Sequence, residues 1–174
     1  MSRIVLHMMM SLDGFVASVD RSESWMVAPD HGRDAASLEV ATTAVAAIAG
    51  HDVYHDMAGY WPTAEGDTPT QRAYVERVNQ MPKLIITHQP AQLDWNNATA
   101  LAVPDGDLSR AITELKAPRD GDIVVWGGAA LVQQFGEADL FDEYQLFVEP
   151  IALGAGEPLF TNTGRWRRLN LISA

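Results

Sequence analysis

The sequence contains no cysteine among its 174 residues. That excludes disulfides, thiolate metal sites and cysteine nucleophiles, and it agrees with a reducing cytosol. Positive charge is scarce as well: 12 Lys and Arg stand against 23 Asp and Glu, for a net charge of −11, and Lys83 and Lys116 are the only lysines. A chain this acidic repels nucleic acid and anionic membranes, so no polyanionic partner is expected. Long apolar runs are missing too. Ile4 to Met10 is apolar apart from His7, but Ser11-Leu12-Asp13-Gly14 cuts it off, which is too short for a signal peptide's apolar region and cleavage site. Nothing approaches the roughly 18 apolar residues of a membrane span. The expectation is a soluble, cytoplasmic protein. No GxSxG elbow, P-loop or HExxH sequence occurs, so a hydrolase elbow, a Walker-type ATPase and a zincin gain no support.

What is present fits a globular enzyme-sized unit. With 47% apolar and 20% charged residues, the chain reads as one domain over residues 1–174, burying roughly 70% of what its unfolded form exposes. Ile4 to Met10 reads as a strand buried on both faces, followed by a turn. Asp30 to Thr43 has helical composition, with Ala35, Leu38 and Ala41 or Thr42 at helical spacing. Ala44 to Ala49 is a second buried strand closed by Gly50. Thr70 to Met81 is a helix carrying Tyr74, Val75 and Val78 on one face, stopped by Pro82 before the strand Lys83 to Thr87. A further helix starts at Asp107 or Ser109 and runs to Lys116, burying Leu108, Ile112 and Leu115. Asp122 to Trp126 is another strand, and Gly127-Gly128 leads into a helix from Ala129 to Phe135 or Ala138. Tyr144 to Leu153 and Arg167 to Ile172 read as two strands, most simply an antiparallel pair. The alternation predicts a mixed sheet with helices on both faces. Ala58 to Pro69 is the longest irregular stretch and a candidate lid.

Few segments carry chemistry. In IVVWGGAALV a buried strand delivers the chain to two glycines where a helix begins, so free backbone N–H groups and the helix dipole suit a phosphate; a close turn without ligand is the alternative. GAGEPLF, from Gly154 to Phe160, lacks the third glycine of GxGxxG and has Pro158 where a helix would continue, so it fails as a dinucleotide fingerprint. His51 and His55, with Asp52 and Asp56 beside them, have a spacing that suits a metal on a helix face, but solvated polar groups are the simpler reading and no metal is expected. Asp13, at the end of the first strand, is a candidate proton donor or substrate anchor, or merely bonds its own turn. Trp25, Trp61 and Trp126 either wall a pocket for a planar ring or pack. Arg165, Arg167 and Arg168 receive no role.

MSLDGFVA (Met10 to Ala17), AGHDVYHDMAGYWP (Ala49 to Pro62), IVVWGGAALV (Ile123 to Val132) and LFDEYQLFVEPIALGAGEPLF (Leu140 to Phe160) together resemble the dihydrofolate reductase superfamily, in the branch built like the C-terminal reductase domain of the bifunctional riboflavin-biosynthesis deaminase/reductase. The resemblance implies a three-layer α/β/α fold with a mixed, mostly parallel sheet. It also implies reduced nicotinamide (NADPH or NADH) as cofactor, a homodimer, and hydride transfer to a small heterocyclic or sugar-derived substrate such as the phosphoribosylaminouracil of riboflavin biosynthesis. The family's double glycine falls on Gly127 and Gly128, with Ala129, Ala130 and Leu131 at the cofactor pyrophosphate. Its GRxTY falls on Gly50, His51, Asp52, Val53 and Tyr54, and its Ser-Arg near the adenosine phosphate falls on Thr87 and His88.

Three departures follow. Both cations expected at a 2′-phosphate are histidines here, and losing two charged hydrogen bonds of roughly 1.5–3 kcal/mol each lowers NADPH affinity roughly 10²- to 10⁴-fold unless something replaces them. Strict NADPH dependence is therefore not implied, and protonated histidines would favour NADPH in mild acid. The acidic residue of true dihydrofolate reductases has two candidates, Asp13 and Asp30. Relatives usually carry one more strand after Arg167 to Ile172, and an open edge invites a partner subunit. The expectation is a nicotinamide-dependent reductase; the alternative is a degenerate member that sequesters an aromatic small molecule.

Overall fold

The computed structural model describes residues 2–22, 24–26, 32–88, 92–103, 107–161, 164 and 166–174. The strands are β1 (Ile4–Ser11), β2 (Phe15–Ala17), β3 (Ala44–Gly50), β4 (Lys83–Thr87), β5 (Ala98–Ala102), β6 (Asp122–Val125), β7 (Glu143–Glu149) and β8 (Glu157–Pro158). The helices are α1 (Arg33–Thr43), α2 (His51–Tyr60), α3 (Pro69–Gln80), α4 (Leu108–Lys116) and α5 (Ala129–Glu137). Six strands form one sheet in the order β5-β4-β3-β6-β1-β7, and each ladder in it is parallel. β2 and β8 form a separate antiparallel pair.

The apolar strand runs explain why this sheet is covered on both faces. In β1 and β6, Ile4, Leu6, Ile123 and Val125 point to one side, where they pack with Ile112 and Leu115 of α4 and Leu131, Val132 and Phe135 of α5. Val124 points to the other side, to Val40 and Ala41 of α1. There Ala49 and Ile85 also meet Tyr54 of α2 and Val78 of α3. Parallel strands joined through helices need such double coverage, because their backbone pairs only inside the sheet and both side-chain faces are apolar. The result is the expected three-layer α/β/α arrangement. Among the described residues no helix is long and apolar enough to cross a membrane.

Three expectations need correction. The antiparallel pair is not Tyr144 to Leu153 with Arg167 to Ile172. β7 enters after the α5 crossover and so lies parallel to β1, while residues 166–174 carry no strand. Arg167 Nε donates to Asp139 Oδ1 at 2.6 Å, which holds the tail against the turn after α5 and away from a sheet edge. The pair that does form joins Phe15–Ala17 to Glu157–Pro158, a short edge where proline's missing N–H does no harm.

The predicted lid from Ala58 to Pro69 is mostly ordered structure. α2 continues to Tyr60, Trp61–Thr63 form a 3-10 turn, and only residues 64–68 are irregular. A capping box between Thr68 and Gln71 fixes their exit, Arg72 donates to the carbonyls of Gly66 and Asp67, and Trp61 packs edge-on to Tyr74 at 5.4 Å.

The start of the first helix at Asp30 lies outside the described residues. In α1 the buried positions are Ser37, Val40 and Ala41, not Ala35, Leu38 or Thr42, because the helix rolls its small residues onto the sheet and α3. β5 was not expected from sequence at all. Its Ala98-Thr99-Ala100-Leu101-Ala102 run has little apolar contrast, and it pairs only along β4 at the sheet's edge.

Candidate functional site

β3 and β6 are neighbours at the centre of the sheet, and the chain leaves them in opposite directions: from β3 to β4 and β5, from β6 to β7 beyond β1. In open α/β sheets the crevice outside the carboxyl ends at such a reversal is where ligands bind. Here both strands run into helices with almost no loop. α2 begins at His51, directly after Gly50, and α5 begins at Ala129 after Trp126-Gly127-Gly128. The Gly50 N–H donates to the Gly127 carbonyl at 3.3 Å, which sets the two helix starts side by side. No side chain caps either helix. Gly127 and Gly128 have φ of 132° and 83°, a left-handed region that disfavours a side chain. Two uncapped N-termini point their N–H groups and positive dipole ends at the same space, an arrangement suited to an anion.

That space is a cavity of about 280 Å3. Gly50, His51 and Asp52 enter it from the β3–α2 junction, Thr87 and His88 from the end of β4, and Gly128, Ala130, Leu131 and Gln134 from α5 and its approach. Ile86, Val103 and Leu108 complete an apolar wall. Thr87 is 5% exposed, and its Oγ1 is buried with no hydrogen-bond partner among the described residues. An orphaned buried hydroxyl costs about 1–3 kcal/mol. A second cavity of about 260 Å3, reached across Val103, holds Asp107, Arg110, Glu114 and Arg119.

Most residues singled out from sequence converge on the first cavity: Gly50, His51, Thr87, His88, Gly128, Ala130 and Leu131 line it. Gly127 braces it through its carbonyl, and Ala129 packs partly buried against the core. Val53 does not line it. At 100° per residue along α2 its side chain turns away from His51 and Asp52, and it packs with Tyr54, Met57 and Trp61. Asp52 and Gln134 were missed. Asp52 looks in sequence like any solvated first-turn acid, although Gln134, one turn beyond Ala130, was legible from helical spacing. His51 and His55 meet edge to face at 5.7 Å, and no group of three or more metal-ligating side chains occurs among the described residues.

Asp13 sits apart from this cavity as a brace. Its Oδ1 accepts from the Ser11 hydroxyl at 2.7 Å and from the Leu153 N–H at 3.0 Å, and its Oδ2 accepts from the Gly154 N–H at 2.7 Å. These bonds, led by the Ser11 hydroxyl, lower its pKa to about 2. Asp13, expected as a proton donor or substrate anchor, is thus held as a carboxylate that ties the turn after β1 to the turn after β7. Asp30, the other acidic candidate, lies outside the described residues.

Sequence reasoning missed another polar group on the α1 face of the sheet. Glu149, fully buried, pairs with Ser11 in register, and the Arg33 guanidinium stands 3.5 Å from its Oε1. Asp34 accepts from Gln71 Nε2 at 2.6 Å. His7 Nε2 bonds Ser37 Oγ at 2.9 Å, and burial lowers the imidazole's pKa. The available signal was a glutamate directly after the apolar run Leu146-Phe147-Val148.

The sequence model of the RibD C-terminal domain matches residues 2–174. The chain belongs to the RibD C-terminal domain family. Among curated proteins, YyaP of Bacillus subtilis strain 168, whose function is uncharacterised, is 28% identical over 172 residues, covering 98% of this chain and 87% of YyaP. Among solved structures, Acinetobacter baumannii RibD superposes with a TM-score of 0.71 at 17% identity over 99% of this chain, which spans 54% of that RibD chain. Dihydrofolate reductase from Enterococcus faecalis, complexed with NADP(H), superposes with a TM-score of 0.51 at 12% identity, covering 90% of this chain and 77% of the reductase. This RibD C-terminal domain member therefore has the reductase-like fold its sequence implied, with the cavity at the sheet's reversal point.

Proposed function

We propose that the chain is a nicotinamide-dependent reductase that passes hydride to a small heterocyclic substrate. The observation that carries this reading is the cavity at the reversal point, onto which two uncapped helix N-termini open, with Thr87 in its wall. Family membership supports it. In this reading the N–H groups after Gly50 and Gly128 hold the cofactor's pyrophosphate, and the left-handed glycines let it approach the backbone. A turn of the Thr87 side chain brings its hydroxyl to a phosphate or ribose oxygen. Ile86, Val103, Leu108 and Leu131 exclude water from the adenosine end. A reduced nicotinamide, when bound, supplies the hydride, and the protein's share is alignment and shielding.

The substrate does not depend on lysine. Lys83 Nζ donates to the carbonyls of Asn79, Met81 and Asn96, and Lys116 is bonded to Asp142 at 2.7 Å. A ribose-phosphate substrate would need other cations, which places a neutral heterocycle ahead of the riboflavin precursor. A second reading, a member that binds an aromatic molecule without turnover, is favoured by the cavity having no lysine or arginine among its described lining residues. We also propose a cytoplasmic homodimer, built on the exposed tail. A panel of pyrimidines, pterins and small aldehydes, followed by oxidation of the reduced cofactor, tests the reductase reading. Turnover of any member supports it, and cofactor binding without turnover across the panel favours the second reading.

A further inference from the structure

We propose that the cavity selects NADH over NADPH, and that Asp52 makes the selection. The inference rests on the reductase reading and deepens it. The two cofactors differ by one group, the phosphate on the adenosine 2′-oxygen, which near neutral pH carries roughly −1.5 to −2 charges, as other phosphomonoesters do. Sites that accept this group place an arginine nearby, and sites that take the free hydroxyl place a carboxylate there.

The charged and titratable side chains of this cavity are His51, Asp52 and His88, with no lysine or arginine among the described lining residues. The sequence continuing from His88 and from Val103 reads Gln89-Pro90-Ala91 and Pro104-Asp105-Gly106, without lysine or arginine. Arg110 is bonded to Asp107 at 2.8 Å and lines the neighbouring cavity. A 2′-phosphate entering here would meet the Asp52 carboxylate with no lysine or arginine among the described lining residues to offset it, and the net charge of −11 adds to the repulsion. A ribose 2′-hydroxyl instead donates to that carboxylate. The pyrophosphate, common to both cofactors, is served by backbone N–H groups that carry no such preference.

The test is calorimetric titration of the full chain at pH 8 with NADH and NADPH separately, on the unaltered protein, Asp52→Asn and Asp52→Arg. Asp52 is exposed, so neither variant disturbs the core. NADH is expected to bind at least about tenfold more tightly than NADPH to the unaltered protein. Asp52→Asn should narrow that ratio and Asp52→Arg should reverse it. Equal affinities, or tighter NADPH, would overturn the selection, and an unchanged ratio in both variants would overturn the role of Asp52. Failure of both cofactors to bind would instead overturn the reductase reading on which the selection rests.

Discussion

Gly50 donates its backbone N–H to the carbonyl of Gly127, joining the ends of two parallel strands that the chain leaves in opposite directions. This bond makes one site of two helix starts. A Cβ on Gly128 would stand 3.7 Å from the Gly50 Cα, at a φ of 83°. Gly128→Val is therefore expected to lower stability by about 1–3 kcal/mol through backbone strain and to weaken dinucleotide binding at least about tenfold. Urea unfolding and cofactor titration read the two effects separately. Unchanged binding in the folded variant would remove the glycine turn from the site.

Thr87 yields an outcome of opposite sign in two assays. Its hydroxyl is buried without a partner, so Thr87→Val leaves the free protein as stable or more stable, by up to about 1–3 kcal/mol. The same change should weaken cofactor binding by roughly three- to tenfold, the equivalent of one hydrogen bond of about 0.5–1.5 kcal/mol. A variant that lost stability and bound normally would contradict the assignment.

Asp13 is held ionised, with its pKa lowered to about 2 from 3.8. A depressed folded-state pKa adds stability above the unfolded value, and that contribution is lost as pH falls from 3.8 toward 2. Asp13→Asn should lower the melting temperature at neutral pH, and the gap to the unaltered protein should close across that acid window. With no proton to give near neutrality, Asp13 contributes no limb to the neutral pH–rate profile. A gap that persisted at pH 2 would mean that the brace does not depend on charge.

The tail carries Trp166, Leu171 and Ile172 at 82%, 85% and 76% exposure, next in the chain to a contact that anchors it at Asp139. Equilibrium sedimentation at micromolar concentration should give twice the 19.0 kDa chain mass, and Leu171→Asp should shift it toward the monomer. A monomer mass for the unaltered chain would rule out the dimer.

The strands β1, β3, β4 and β6 were legible because buried parallel strands read as continuous apolar runs. Their partners were not: the run from Tyr144 is equally a strand beside β1 or beside the tail, and periodicity cannot choose. β5 escaped because alternating alanines give almost no contrast. At the candidate site, Gly128, Gly50, His51, Thr87 and His88 line the cavity at positions where the family's motifs fall in the chain. Asp52 lines it with no such signal, since an exposed acid at a helix start looks the same whether or not a cavity opens beside it. Asp13 reads as a proton donor, a substrate anchor or a residue bonding its own turn, and no local pattern shows the Leu153 and Gly154 N–H groups that hold it, 140 and 141 residues further on.

In the reductase reading this cavity holds a nicotinamide dinucleotide. Trp126, whose backbone N–H donates to the Ile48 carbonyl directly before the glycine pair, is placed to report its binding. Titrating the protein with NADH and with NADPH while following tryptophan emission should give saturable quenching by at least one of them at micromolar concentration, abolished in Gly128→Val. Emission unchanged by either cofactor up to millimolar concentration would contradict the claim.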